Sequence, residues 1–396
     1  MGGKRGNNEG SVTQRSDGRW QGAVTTGRDP ATGKLKRVFF YGATREEAAR
    51  KVTAALAEVQ RGTFVEPTKL TVGQWLETWL VEYKKTELRP TTWDSYEITA
   101  RVHIKPAVGE LKLKDLRPEH LQRLYNEKAK AGLSPKTVTY IHTVIHGALG
   151  QAVKNGLVIR NVAEATTLPR KVKKEIRPLT LEEVKQLFDA IEQDRLFPAI
   201  YLELATGLRR GELLGLRWQD VNLKAGTITV KQGLVRVRNH EAQEGERKTM
   251  LVFQELKTAT ARRTIPIPED VLAELKRWKA RQNEEKLALG QGYRDNGLVF
   301  CAEDGQPLDP RSFTRHFDQM LKCAGLPHIR FHDARHTFAT MMLELGESPK
   351  VVQQMLGHSQ IAVTLDIYSH VSLDLERKAA ARLNEVLKKE KAPSAR

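Results

Sequence analysis

The apolar positions of the first 66 residues alternate with polar ones in short runs. Residues 11–15 and 19–26 show strand-like alternation, and the Ser-Asp-Gly sequence between them is a turn signal. A third strand-like run covers residues 35–41. Thr44, with a glutamate three positions later, is typical of a helix start, and helical spacing continues to about residue 61. The pattern predicts a small module of three strands and one helix over residues 1–66.

Between residues 67 and 166 the apolar positions recur every three or four residues, which is typical of amphipathic helices. Helix starts are predicted near Thr71, Pro90, Pro118 and Pro135, each at a capping residue or at a proline in a first turn. The pattern therefore predicts a helical domain. Its basic flanks fit two interpretations: a bundle that clasps DNA, or a generic bundle with a solvated charged face.

A third domain is predicted to begin with a helix at Thr180, where a second capping box occurs. Strand-like runs follow at residues 227–230, 250–256 and 263–266. The last two are predicted to form a hairpin, and the polar stretch 236–248 before them is predicted to be a flexible excursion. Helical spacing returns from residue 373 to about residue 389.

These patterns predict a multidomain α+β protein. Its parts are a three-stranded sheet with one helix, a helical domain, and a mainly helical C-terminal domain that contains a small antiparallel sheet. The predicted boundaries are residues 1–66, 67–166, a linker at 167–179, and 180–396. The length of 396 residues agrees with two or three domains.

The net charge of the chain, +17, narrows the class of partner. Charge is densest in the linker, where five basic residues stand against one acidic residue between positions 167 and 178. A basic excess spread along the chain favours a polyanionic partner, and DNA is the leading candidate, although charge alone does not identify the partner. The candidate DNA-binding residues are Arg15, Arg19, Arg28, Lys34, Lys36 and Arg37 in the N-terminal module, and Arg170, Lys171, Lys173 and Lys174 in the linker.

Several classes of protein are disfavoured. Cys301 and Cys323 are the only cysteines, and they form neither a metal-ligand spacing nor a disulfide framework. The sequence contains no apolar run of about 18 residues and no apolar signal region at its start. We therefore expect a soluble, cytoplasmic protein with no membrane partner.

The densest candidate chemistry lies between Phe331 and Tyr368. This stretch contains His332, Arg335 and His358 besides the tyrosine. A phenol can attack an electrophile, imidazoles can move protons, and a guanidinium can hold an anion. Because arginine favours bidentate contacts with phosphate, the set indicates a phosphodiester as the electrophile.

Each of these residues, taken alone, also has an ordinary structural interpretation. The histidines at a helix start fit capping or core positions, and Tyr368 fits a half-buried tyrosine. His332 and His336 are four residues apart, which suggests zinc, but no glutamate follows the first histidine. We therefore expect no metal at this position.

A second candidate element is residues 205–218, in which two glycines flank paired arginines. Glu212 lies three residues after Arg209 and can orient a guanidinium that would otherwise swing free. Lys257 lies at the tip of the predicted hairpin, where it has the reach of a proton donor. A lone hairpin lysine is more often simply solvated.

Five elements in order closely resemble the tyrosine recombinase, or phage integrase, family. They are A-T-G-L-R-R-G-E, then L-K-T-x-x-x-R-R-T-I-P, then H-D-A-R-H, then L-G-H, then a tyrosine. Their order and gaps agree across residues 180–380. The helical segment before them is similar to the SAM-like core-binding domain of that family. The N-terminal module resembles the AP2-like arm-binding domain at the front of many integrases.

The resemblance implies a role for each matching residue. It makes Arg209, Lys257, His332, Arg335 and His358 catalytic residues, Tyr368 the nucleophile, and Glu212 the acidic partner of an arginine. It implies that DNA is cleaved and rejoined through a 3′-phosphotyrosyl link. No metal, ATP or other cofactor is expected, and the sequence contains no Walker motif.

The resemblance also implies partners. These are double-stranded DNA with core-type and arm-type attachment sites, three further protomers in a tetramer on a Holliday junction, and candidate accessory proteins, namely an excisionase and a host DNA-bending protein. The expected function is integration and excision of a mobile element in the cytoplasm of a bacterial host, at the nucleoid. Two alternatives are a nicking-closing enzyme similar to type IB topoisomerases and a DNA-binding regulator with an inactive catalytic domain. The modular N-terminal sheet disfavours the first, and the full residue set disfavours the second.

Overall fold

The structure is a computed structural model. It describes residues 10–28, 32–62, 64, 69–170, 177–240, 242–256, 262–362, 364–365, 380–381 and 383–384. The chain forms two compact units, Met1–Lys173 and Lys174–Arg396. The finer domain boundaries drawn from the sequence stay a prediction.

The first unit begins with a three-stranded antiparallel sheet in the order β1-β2-β3. Its elements are β1 (Ser11–Gln14), β2 (Trp20–Arg28), β3 (Leu35–Gly42) and the helix α1 (Arg45–Gln60). The Thr44 side chain accepts a hydrogen bond from the Glu47 amide and so caps α1. Val24 and Val52 form the core between sheet and helix. The predicted order of three strands and one helix is confirmed.

The rest of the first unit is helical. Its α-helices are α2 (Val72–Thr78), α3 (Pro90–Thr99), α4 (Lys105–Val108), α5 (Pro118–Lys130) and α6 (Pro135–Lys154). The helix α2 continues as a π-helical turn over Trp79–Lys84, and α3 continues as another over Ala100–Ile104. Trp75 and Trp79 lie in the core, and Trp75 Nε1 donates to the Ala148 carbonyl at 2.8 Å. The predicted helix starts are confirmed, and the paired tryptophans are core residues.

The second unit is mainly helical. Its helices are α7 (Leu181–Ile191), α8 (Phe197–Thr206), α9 (Arg210–Leu214), α10 (Glu269–Leu289), α11 (Pro310–Cys323), α12 (Phe331–Glu344) and α13 (Pro349–Leu356). The helix α8 is buried on nearly every side and packs against α10 and α12. Across the described ranges, no helix has both the length and the apolar character needed to cross a membrane. The predicted helix over residues 373–389 lies almost wholly outside the described residues.

The strands of the second unit pair differently from the prediction. Its strands are β4 (Val221–Asn222), β5 (Thr227–Val230), β6 (Gln232–Arg238), β7 (Thr249–Glu255) and β8 (Arg263–Pro266). One sheet has the order β4-β5-β8, and β6 with β7 forms a separate two-stranded ribbon. The predicted hairpin between residues 250–256 and 263–266 was therefore wrong. Residues 236–238 also belong to a strand rather than to a flexible excursion. The reason is long-range packing, because Ile228 and Ile265 pair directly and are both fully buried.

Candidate active site

The C-terminal end of α13 is an acceptor site for three arginine side chains. Ser348 caps the start of this helix, and Gly357 ends it in a left-handed conformation with φ of 66°. The last carbonyls of the helix are thereby left without partners inside it. Arg263 Nε donates to the Met355 carbonyl at 2.5 Å, Arg335 Nη2 to the Leu356 carbonyl at 2.5 Å, and Arg209 Nη2 to the Gly357 carbonyl at 3.2 Å.

Among the predicted catalytic residues that the structure describes, Arg335 is the most deeply enclosed, with 3% of its surface exposed. Its Nη1 atom donates to the Gly207 carbonyl at 2.7 Å, so the guanidinium bridges the C-terminal ends of α8 and α13. Both ends carry partial negative charge, which favours a cation there. Burial, together with repulsion from Arg209, lowers the pKa of Arg335 to about 9. The guanidinium therefore remains charged at neutral pH.

Gly207 makes this bridge possible. It ends α8 with φ of 62°, in the left-handed region that favours glycine. A Cβ atom at this position would lie 2.5 Å from the ring of Phe338 and 2.6 Å from the side chain of Leu356. Only glycine therefore fits between α12 and α13 while directing its carbonyl at Arg335.

Glu212 fixes two of the three arginines. One of its oxygens accepts from Arg209 Nη1 at 2.6 Å, and the other accepts from Arg263 Nη2 at 2.8 Å and from the Arg209 amide at 3.0 Å. Burial raises the pKa of this carboxyl, but the hydrogen bond and charge of Arg263 and the charge of Arg209 outweigh it, and the net pKa is lowered. Glu212 is therefore ionised, as the predicted role of acidic partner requires.

His358 follows Gly357 directly and is half-buried. Its Nδ1 atom lies 3.0 Å from the Thr364 hydroxyl, and the Gln353 side chain donates to its carbonyl at 3.0 Å. Burial and the nearby positive charge of Arg335 lower its pKa to about 3. The ring is therefore neutral at pH 7, and it retains one N–H that can donate to an anion.

His332 lies in the first turn of α12, three residues before Arg335, and is exposed. Its ring meets that of His336 edge to face, with centroids 5.4 Å apart. Although the residue as a whole is exposed, part of its ring is shielded from water, and this shielding together with the neighbouring His336 lowers the pKa of His332. Within the part of the chain that the structure describes, no cluster of three or more acidic, histidine or cysteine side chains is arranged to hold a metal.

The structure thus brings Arg209, Arg335 and His358 together, with Glu212 behind them and His332 one helical turn from Arg335. Lys257 and Tyr368 lie outside the described residues, as do Lys171, Lys173 and Lys174. The L-G-H sequence supplies the carbonyls of Leu356 and Gly357 that accept from Arg335 and Arg209. Its glycine allows the helix to end, and its histidine then lies next to the last acceptor.

Sequence reasoning missed two residues of this site. Arg263 is part of the L-K-T-x-x-x-R-R-T-I-P motif, but the sequence alone gives it no role. In the structure its side chain is 6% exposed and is paired with Glu212. Its alternation with the buried Ile265 in β8 was a usable signal for an inward position. Glu203, on α8, is fully buried and interacts electrostatically with Arg335 and Arg263. Its helical position gave no signal of its own.

The predicted DNA-binding residues of the N-terminal module are all exposed, and so is Arg170. They are Arg15, Arg19, Arg28, Lys34, Lys36 and Arg37. The Arg15 guanidinium lies 5.7 Å from the centroid of the Tyr41 ring, on the sheet face that also carries Phe39. Both aromatic rings are nearly half exposed. This face therefore combines basic and aromatic side chains on the side away from α1.

Comparison with known proteins decides the family. A model described as the phage integrase family matches residues 177–374, and one described as the phage integrase N-terminal SAM-like domain matches residues 71–129. The chain is 34% identical, over 92% of its length and 95% of the relative's, to a XerC-like tyrosine recombinase of Caldanaerobacter subterraneus subsp. tengcongensis. The chain belongs to the phage integrase family. It is a site-specific DNA recombinase of the tyrosine type, an enzyme that cleaves and rejoins DNA.

Two solved structures share the fold. The integrase of the Tn1549 transposon, solved in complex with transposon right-end DNA, has a TM-score of 0.66 and 23% identity, covering 79% of this chain and 99% of that one. Lambda integrase, solved as a tetramer bound to a Holliday junction, has a TM-score of 0.55 and 21% identity over 92% of this chain and 96% of that one. The predicted fold class and family are confirmed.

Proposed function

We propose that this recombinase integrates and excises a mobile element, and that its active site for DNA cleavage lies at the C-terminal end of α13. One observation carries the assignment of the site. Arg209 lies far in the sequence from Arg335 and His358. In the structure, Arg209 donates to the Gly357 carbonyl and Arg335 to the Leu356 carbonyl at the end of α13, and His358 follows directly. Such convergence of two guanidinium groups and one neutral imidazole suits a single phosphate group.

The proposed nucleophile is Tyr368. Its phenol oxygen forms a bond to the scissile phosphorus, the bond from phosphorus to the 5′ oxygen breaks, and a 3′-phosphotyrosyl link with a free 5′-hydroxyl remains. A phenol with a pKa of about 10 is a poor nucleophile at neutral pH, so it needs a proton acceptor and a stabilised product. The 5′-hydroxyl of a partner strand reverses the step and rejoins the DNA.

The arginines counter the negative charge that grows on the equatorial oxygens of pentavalent phosphorus. Arg335 is held in place by two carbonyls, and Arg209 by Glu212 and Gly357, so little reorganisation is needed when phosphate enters. The side chain of Arg209 is 39% exposed, which leaves part of its guanidinium accessible to DNA. The neutral ring of His358 supplies a further N–H donor.

Proton transfer completes the reaction. In the proposed mechanism, Lys257 protonates the departing 5′ oxygen, and His332 assists proton transfer on the side of the nucleophile. A neutral His332 can accept a proton, which agrees with its lowered pKa. Because the energy of the broken ester is retained in the phosphotyrosine, the proposal needs no ATP. Because arginines carry the phosphate charge, it needs no metal.

The proposed partner is double-stranded DNA with core-type and arm-type sites, bound by a homotetramer through a Holliday junction. Support comes from the DNA complex of the Tn1549 integrase and from the lambda integrase tetramer on a Holliday junction. The exposed basic and aromatic face of the N-terminal sheet fits the arm-type site. An excisionase, a host DNA-bending protein and a cytoplasmic, nucleoid-associated location belong to the same proposal.

Covalent trapping tests the proposal. The full chain is incubated in EDTA with a nicked duplex that carries the end of its own element, so that the released fragment diffuses away. We expect a covalent protein–DNA adduct on a denaturing gel, and we expect Tyr368→Phe to abolish it. Tyr293→Phe is the matched control, because that phenol contacts Cys301 in the same unit and has no proposed catalytic role.

Each other outcome counts against a stated part of the proposal. An adduct that still forms in Tyr368→Phe would show that Tyr368 is not the nucleophile. An adduct that forms only when a divalent metal is added would contradict the metal-free mechanism. Adduct formation without recombination between two paired sites would favour a nicking-closing activity over integration.

A further inference from the structure

Glu203 is a buried carboxyl directly behind the arginine site. It lies on α8, and its exposed surface is 0%. Its own carbonyl accepts a hydrogen bond from the Gly207 amide at 2.7 Å, and the Gly207 carbonyl in turn accepts from Arg335. Glu203 is therefore one helical turn from the group that holds Arg335.

The side chain of Glu203 has an unusual environment. Among the described residues, neither of its carboxyl oxygens has a hydrogen-bond partner. Most buried polar atoms in proteins are hydrogen-bonded, and a buried ionised carboxylate with no partner is especially unfavourable. The charged groups that act on it are Arg335 from α12, Glu212 from α9 and Arg263 from β8.

Burial is the strongest of these influences, and it raises the pKa of Glu203 far above its ordinary value. The charge of Arg335 opposes this rise, and the charge of Glu212 adds to it. A neutral acid is the consistent state, because Glu212 already uses its charge on Arg209 and Arg263. Two buried carboxylates side by side would repel each other.

We propose that Glu203 is a positioning residue that acts through Arg335 as a neutral carboxylic acid. With Glu203 neutral, the three arginines and Glu212 retain a net charge of two positive units. An ionised Glu203 would reduce this excess to one unit and would compete with the phosphodiester for Arg335. This inference rests on the proposed function, in which that excess charge meets the phosphate.

Two readouts test the inference on the full chain, with Glu203→Gln as the main variant because it keeps the shape and cannot ionise. The first is infrared spectroscopy of the DNA-free protein at pH 7. We expect the carbonyl band of a protonated carboxylic acid in the unmodified protein and its loss in Glu203→Gln. The band should persist in Asp220→Asn, a buried carboxyl of the same unit that pairs with Arg217 at 3.0 Å.

The second readout is the rate of adduct formation on the nicked duplex as pH is raised. Ionisation of Glu203 should reduce the rate of the unmodified protein at alkaline pH. Glu203→Gln should shift this decline upward by about half a pH unit or more. Loss of the Arg335 proton also lowers the rate, and the charge of Glu203 raises the pKa of Arg335. Removing that charge alone would therefore move the decline to lower pH, so an upward shift in the variant isolates the ionisation of Glu203. Glu203→Met, also non-ionisable, should show the same shift and replaces the glutamine variant if that variant does not fold.

The results separate this inference from the proposed function. Absence of the infrared band, or an identical alkaline decline in all three proteins, overturns the inference while adduct formation continues to support the function. Absence of any adduct from the unmodified protein overturns the function, and the inference falls with it. The band together with the upward shift supports both.

Discussion

Arginines of the N-terminal sheet and arginines at the end of α13 are the same residue type in opposite settings. Arg37 is exposed on β3, whereas Arg335 and Arg263 are enclosed and donate to backbone carbonyls. An exposed guanidinium samples many rotamers, and salt screens its charge. An enclosed one has a fixed direction in a medium of low dielectric. The first setting suits attraction to a DNA backbone, and the second suits stabilisation of one reacting phosphate.

The enclosed setting requires compensation that the exposed one does not. Removing a guanidinium from water is costly unless its N–H groups are paired. Here the pairing comes from the carbonyls that helix ends always leave over, at Gly207 and at Met355 to Gly357, and from the carboxylate of Glu212. The same contacts that make burial tolerable also orient the guanidinium groups of the proposed site.

Among the variants that test this comparison, Arg335→Ala should have the largest effect. We expect the single-turnover rate of adduct formation to fall by about 10² to 10³, by analogy with the removal of one preorganised donor to a developing oxyanion. Because the carbonyls of Gly207 and Leu356 lose their partner, unfolding free energy should also fall by about 1–3 kcal/mol. Rapid-quench kinetics and urea denaturation measure the two effects. Arg50→Ala, an exposed arginine on α1, should change neither.

Glu212→Gln should produce the next largest effect. The variant keeps the shape but removes the charge that holds Arg209 and Arg263, so we expect the rate to fall by roughly 10-fold to 100-fold. Breaking a buried ion pair from one side should also lower the unfolding free energy by roughly 3 kcal/mol. A rate equal to that of the unmodified protein would show that the carbonyls of α13 alone orient the arginines.

Much of this arrangement was predictable from the sequence, and the limits have physical causes. Helix ends and caps are local, so Thr44, Ser348 and Gly357 marked their elements correctly. The pairing of β5 with β8 is not local, and the sequence order of strands suggested a different partner. Every residue type has a backbone carbonyl, so the sequence does not indicate which carbonyls accept hydrogen bonds from an arginine. For this reason the support of Arg335 by Gly207 and Leu356 was invisible before the fold was known.

A smaller effect concerns acid stability of the DNA-free protein. The pKa of folded His358 is about 3, below its ordinary value of 6.5, and the pKa values of His332 and His336 are also lowered. The unfolded chain therefore binds protons first as pH falls. Stability from these rings is complete above about pH 6.5 and is lost progressively toward pH 3. We expect the melting temperature to decline from pH 7 to pH 5, less steeply in His358→Gln. An equal decline in both proteins would contradict the assignment.

The smallest effect sharpens the other side of the comparison. Arg37→Ala should leave the rate on the nicked core duplex within about twofold, because an exposed, solvent-screened charge contributes little to the energy of any one interaction. It should reduce the salt dependence of binding to arm-type DNA by about 0.9 in the log–log slope, as expected for one lost phosphate contact. Fluorescence anisotropy across a salt series measures this slope. An unchanged slope would show that Arg37 does not contact the arm-type DNA.

The most direct test of the central claim replaces the scissile phosphate with a neutral methylphosphonate. If Arg335 is held in place to neutralise phosphate charge, then removing that charge from the DNA should make the arginine largely dispensable. We predict that Arg335→Ala loses about 10² to 10³ in rate on phosphate DNA but less than about 10-fold on methylphosphonate DNA. Equal losses on both substrates would contradict the account and would make Arg335 a structural residue of the junction between α8 and α13.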